Sequence, residues 1–188
     1  MVQTLPKTPT LEEFLTLPET KPASEFINGK ITQKPMPQGQ HSRIQQKLTA
    51  VINLVLEDPK IALALPELRC TFGNRSTVPD VVVFTWERLA TNDDGTIANQ
   101  FTTAPDWTIE ILSPEQTTTR VTRNILHCLA HGTQIGWLID PNEKLIFTYT
   151  RDRTPCYFEV ATDILPVPEF APGLQLTLGQ IFDWLQVR

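Results

Sequence analysis

Two short apolar segments, each carrying a single carboxylate, restrict the fold of this chain more than any other feature. Val78-Pro79-Asp80-Val81-Val82-Val83-Phe84 and Trp107-Thr108-Ile109-Glu110-Ile111-Leu112 are rich in β-branched and aromatic residues, as central strands of a sheet are. A charge inside such a strand is costly to bury alone, so Asp80 and Glu110 each call for a partner. Strand alternation puts Thr108, Glu110 and Leu112 on one face and Ile109 and Ile111 on the other.

Helical and turn signals surround these strands. Thr10 and Glu13 form a T-x-x-E capping box ahead of a short helix over Leu11 to Leu17, which Pro18 stops. Ser24 to Ile27 and Lys30 to Gln33 flank Asn28-Gly29, the sequence of a type I′ hairpin. From His41 to Glu57, Ile44, Leu48, Val51, Ile52, Val55 and Leu56 recur at helical spacing. Ile61 to Phe72 holds further apolar runs broken by Pro66. A second long helix runs from about Thr117 to His131, ahead of Gly132. Gly136 to Ile139, Lys144 to Thr150 and Tyr157 to Ala161 read as strands, and Leu176 to Leu185 as a closing helix. This order predicts an α/β or α+β sheet with helices packed on it, an N-terminal hairpin, a flexible stretch over 1–9 and one domain over 10–188.

The 188 residues, 40% hydrophobic and 20% charged with net charge -5, are those of a globular protein. Cys70, Cys128 and Cys156 are odd in number and widely spaced, which indicates reduced thiols in the cytoplasm rather than a disulfide framework. The polar start lacks the apolar stretch of a signal peptide, and no apolar run is long enough to span a bilayer, so no membrane partner is expected. The acidic balance argues against coating nucleic acid by charge alone. No G-x-S-x-G elbow, G-x-x-x-x-G-K-[ST] loop or G-x-G-x-x-G turn is present. His127 and His131 have the i, i+4 spacing of a helical metal pair, but Cys128 stands where a zinc protease carries its glutamate.

Two carboxylates on neighbouring strands repel each other, and a hard divalent cation with oxygen ligands is the usual remedy. The alternative is structural, with Asp80 capping a strand end and Glu110 pairing with an arginine. On the helix that follows, Arg120, Asn124, His127 and His131 form one polar line beside the apolar Val121, Ile125, Cys128 and Leu129. That line is either a phosphate-facing stripe or an ordinary solvated face.

Leu11-Glu12-Glu13-Phe14-Leu15 with Leu17-Pro18, then Glu25-Phe26-Ile27-Asn28-Gly29, the Asp80 segment, Pro105-Asp106-Trp107 through Ile111-Leu112-Ser113-Pro114, and Gly136-Trp137-Leu138-Ile139-Asp140-Pro141 follow in order. The series resembles a bacterial family of restriction-endonuclease-like proteins in the PD-(D/E)XK nuclease superfamily, from about Thr10 to Pro141. The resemblance implies a restriction-endonuclease-like mixed sheet flanked by helices, with a metal-dependent phosphodiesterase centre at one edge. It implies Mg2+ or Mn2+ held by Asp80 and Glu110, with Glu25 as an accessory acid. The superfamily's lysine falls at Leu112, and the family's helical alternative at Arg120 and Asn124, so this chain departs from both patterns.

The leading expectation is a metal-dependent DNA endonuclease using Glu25, Asp80, Glu110, Arg120 and Asn124. The other is a catalytically impaired nuclease scaffold acting as a binding or interaction module. Cleavage of both DNA strands would be easiest for a homodimer.

Overall fold

The structure is a computed structural model that describes residues 8–114 and 116–188. Of the expected flexible start, residues 1–7 lie outside the described residues. Helix α1 (Leu11–Leu15) has the expected box: the Glu13 amide donates to Thr10 Oγ1 at 3.1 Å and the Thr10 amide to Glu13 Oε2 at 2.9 Å. It ends two residues before the predicted Leu17, and Phe14 stacks on Phe26 of the hairpin. That hairpin is β1 (Ser24–Ile27) and β2 (Lys30–Gln33), turned at Asn28 (φ 51°) and Gly29 (φ 76°), where a type I′ turn needs both angles positive.

Helix α2 (Gly39–Leu56) starts two residues before the predicted His41 and buries His41, Ile44, Leu48, Ile52 and Leu56. The apolar stretch after it splits into β3 (Ala62–Pro66) and β4 (Cys70–Phe72), and the unpredicted β5 (Arg75–Thr77) pairs with β4. Then come β6 (Val81–Thr85), β7 (Trp107–Ile111), α3 (Thr118–Ala130), β8 (Ile135–Asp140), β9 (Leu145–Thr150), β10 (Arg153–Phe158) and α4 (Leu178–Asp183). The last strand begins before the predicted Tyr157 and contains Pro155. It is an edge strand whose register shifts between Arg153 and Cys156, and edges and bulges are where a sheet tolerates proline. The closing helix is shorter than predicted because Thr177 caps it with its own box to Gln180.

Two sheets form where one mixed sheet was expected. The larger has order β10-β9-β8-β7-β6-β3, with β7 and β8 parallel and the other neighbours antiparallel; the smaller is antiparallel, β2-β1-β5-β4. Val81, Val83, Trp107, Ile109 and Ile111 share one core with Ile44, Leu48 and Ile52 of α2 and Ile181 of α4. On the other face Leu112 and Leu138 pack against Val121, Ile125 and Leu129 of α3. The sequence alternation thus divides the sheet residues cleanly: odd-numbered side chains of β6 and β7 face α2, and even-numbered ones face away from it.

Gly136 lets α3 sit close. A Cβ there would lie 2.2 Å from Ile125 Cγ2, so the sheet has a bare backbone where the helix presses hardest. At the β3 edge of the sheet Asn53 of α2 clamps the strand, its side chain donating to the Ala64 carbonyl at 3.0 Å and accepting from the Ala64 amide at 2.7 Å.

Candidate functional site

The antiparallel register pairs Val81 with Ile109 and Val82 with Thr108. Continued one residue, it puts Asp80 across from Glu110, on the same side of the sheet. Both are buried, Asp80 1% and Glu110 4% exposed. The Asp80 backbone is fixed from two sides, its carbonyl accepting from Gln45 Nε2 at 2.8 Å and from the Glu67 amide at 3.1 Å. Its Oδ2 accepts from the Ile111 amide at 2.7 Å, tying the carboxylate to β7.

The other oxygen of Asp80 meets a cation that sequence reasoning missed. Lys34, just beyond β2, donates from Nζ to Asp80 Oδ1 and to the Val78 carbonyl, both at 2.6 Å. His41 Nε2 stands 3.3 Å from the same Oδ1, and His41 Nδ1 is 3.1 Å from Ser113 Oγ. Glu25 of β1 accepts the Val78 amide at 3.0 Å, so two charged side chains of the hairpin grip the Val78 peptide groups. A signal for Lys34 was present: Thr32 pairs with Glu25, and the next residue on that face of the hairpin is Lys34.

These neighbours set the protonation of the carboxylates. Burial pushes the Asp80 carboxyl upward, but Lys34 and His41 outweigh it and hold the group below the ordinary carboxylate range. Glu110 goes the other way. Burial drives it well above its ordinary value, and the charges of Asp80 and Glu25 add to that against the pull of Lys34. Burial alone would lower Lys34, yet Asp80, Glu110 and Glu25 together raise it, so it stays an ammonium.

Arg120, from the first turn of α3, lies further out. Its Nη2 donates to Thr32 Oγ1 at 2.8 Å and stands 3.7 Å from Glu25 Oε2. Asn124 is 8% exposed, so it belongs to the packed side of the helix rather than a solvated face. Arg123 is exposed, and its charge acts on Arg75. The predicted apolar face of α3 is buried, Val121, Ile125, Cys128 and Leu129 all being at or below 4% exposure.

The distal histidines serve packing. His127 stacks on Phe72 and donates from Nε2 to the Phe72 carbonyl at 3.2 Å, while His131 Nδ1 donates to the His127 carbonyl at 2.8 Å. Burial lowers His127 to about 4. Among the described residues no group of three or more His, Cys, Asp or Glu stands ready as a metal cluster. Lys34, His41, Asp80 and Ser113 line a cleft of about 430 Å3, walled by residues 19–23 and 35–37. Among the described residues no helix is long and apolar enough to cross a membrane.

Comparison with known proteins gives the family and the fold. Residues 11–179 match the Uma2 family, described as putative restriction endonucleases. A solved structure of a putative nuclease belonging to DUF820 from Anabaena variabilis superposes with a TM-score of 0.93 at 57% identity, covering 94% of this chain and 99% of that one. No curated protein matches. With the family matched from α1 into α4 and the fold shared with the structure of a putative nuclease, the chain belongs to the Uma2 family of restriction-endonuclease-like proteins.

Proposed function

We propose that the chain is a cytoplasmic, magnesium- or manganese-dependent DNA endonuclease that hydrolyses phosphodiester bonds at the Asp80–Glu110 pair. The observation that carries this reading is the buried, cross-strand placement of the two carboxylates, with Glu110 pushed upward by burial and by the charges of Asp80 and Glu25. That is an excess of carboxylate, and it is the electrostatic condition a divalent cation relieves. The donors fit such an ion: they are hard oxygens, and magnesium is commonly bound through one or two carboxylates while keeping several waters. Asp80 and Glu110 would hold it, with Glu25 beside them. When bound, the ion would lower the pKa of a water and offset charge on the phosphate.

The chain's own residues prepare the rest. His41, Lys34 and the Ile111 amide immobilise Asp80, so the carboxylate need not reorganise when a substrate arrives. Arg120, about a third exposed and held by Thr32, offers a guanidinium to an approaching phosphate. A second reading, a scaffold that binds without cutting, draws on the uncharged Leu112 and Asn124 and the net charge of -5.

Supercoiled plasmid incubated with Mg2+ or Mn2+ separates the two. The nuclease reading expects nicking by the wild type, loss of nicking in Glu110→Gln, and loss of calorimetric Mn2+ binding in Asp80→Ala and Glu110→Ala. A folded wild type that cuts in neither metal sinks the catalytic reading and leaves the binding scaffold.

A further inference from the structure

We propose that Lys34 is the catalytic ammonium of this centre, supplied by the N-terminal hairpin in place of the lysine absent at 112 and 124. The inference rests on the nuclease reading above and adds to it a residue from an element that neither motif position includes. Three observations carry it. Lys34 is, among the described residues, the one lysine paired with Asp80, at 2.6 Å, and its side chain is only 10% exposed. Lys34 lines the same cleft as Asp80, His41 and Ser113, which on the nuclease reading is the space a phosphate would enter. The other candidates are displaced or uncharged: Arg120 pairs with Glu25 at 3.7 Å, Arg123 is exposed, Asn124 carries no charge, and Leu112 packs with α3.

The hairpin holds Lys34 in place. Its amide donates to the Ala23 carbonyl at 2.9 Å, which extends the β1–β2 ladder by one step, and Pro35 follows directly. The side chain therefore leaves from a fixed backbone on the face that carries Glu25 and Thr32. Lys34 serves as a charge and hydrogen-bond donor, not as a base. In the reaction, a water oxygen adds to phosphorus and the bond from phosphorus to the leaving ester oxygen breaks with its electron pair. The leaving oxygen takes up a proton and the water's surplus proton passes to solvent, giving a phosphomonoester and an alcohol. Lys34 keeps its protons throughout and donates to the phosphoryl oxygens, where negative charge builds most in the pentavalent state.

The test is Lys34→Gln, read by plasmid nicking in Mn2+, by Mn2+ calorimetry and by thermal melting. Removing a cation from beside Asp80, Glu110 and Glu25 should leave Mn2+ binding equal or tighter, while nicking falls about 10²-fold or more, the usual loss for one preorganised donor. A merely structural lysine would not separate affinity from turnover in this way. Nicking within a few-fold of wild type, with Mn2+ binding intact, overturns the proposal and leaves the nuclease reading standing; an inactive wild type is the separate result that removes that reading. Lys34→Arg keeps a positive charge against Asp80 and guards against loss of the fold. It should melt like wild type yet nick at least tenfold more slowly, and full activity in Lys34→Arg beside an unfolded Lys34→Gln would make Lys34 a structural counter-ion only.

Discussion

On the nuclease reading, Glu110 is the residue on which stability and activity would oppose each other. Its folded carboxyl sits well above its ordinary value, so the fold favours the protonated form. For a group raised in this way the stabilising contribution is complete below the unfolded value near 4.3 and is lost as pH rises through the folded value. Above the unfolded value, without a metal, Glu110 costs stability, either as a buried charge next to Asp80 and Glu25 or through the proton it takes up to avoid one. Glu110→Gln keeps the shape and removes that charge. In EDTA its melting temperature should exceed the wild type's at pH 8, by about 2 to 4 °C for each kcal/mol relieved in a chain of this size, and the gap should shrink toward pH 5. A gap that stays constant with pH, measured by differential scanning fluorimetry, would mean that Glu110 does not titrate between the two states. Lys34 shows the limit of sequence reading at this same scale. Asp80 and Glu110 stood out because each interrupts an apolar run, whereas Lys34 lies just beyond β2 and its one signal is that it continues the Glu25–Thr32 face of the hairpin. Its partner lies 46 positions away.

At the scale of elements, local signals were legible where they are self-contained. Thr10 with Glu13, Asn28 with Gly29, and the helical spacing from Ile44 to Leu56 each determine their own backbone. Hidden elements depend on partners. Arg75–Thr77 is three residues long and exists as a strand because β1 and β4 flank it, and its turn at Gly73 (φ 54°) and Asn74 (φ 63°) follows a reading frame set by Cys70–Phe72. The division into two sheets is likewise a product of tertiary pairing. Helix α3 offers the sharpest test of how an element seats a site, because its contact with the sheet passes over Gly136. Gly136→Ala should force Ile125 away and cost about 1 to 3 kcal/mol by overpacking, carrying Arg120 with the helix. Ile125→Ala should cost about 2 to 5 kcal/mol through the cavity it leaves. Since the added methyl would fill part of that cavity, the double variant should be destabilised by less than the sum of the two. Strict additivity in urea unfolding of the four proteins would show that α3 is seated by other contacts.

At the scale of the whole molecule, charge and copy number would decide what kind of cut the proposed nuclease makes. The chain is acidic, with net charge -5, so on the nuclease reading general attraction to DNA would be weak and encounter would depend on a few local cations such as Arg120 and Lys34. Two or three neutralised phosphates correspond to a slope of about -2 to -3 in log affinity against log salt, far shallower than for a protein that coats the duplex. Each chain holds one Asp80–Glu110 pair, while the strands of a duplex run in opposite directions, so a single bound chain reaches one scissile bond. Breaking both strands in one event needs a second copy related by a twofold axis. Like-charged acidic copies repel one another away from their contact surface, and only a specific interface would overcome that repulsion. The expected time course is therefore open circles first and linear DNA later, from independent second cuts, with an initial rate proportional to protein concentration. Linear product that appears without an open-circle stage, at a rate rising with the square of concentration, would instead identify the homodimer as the cutting species.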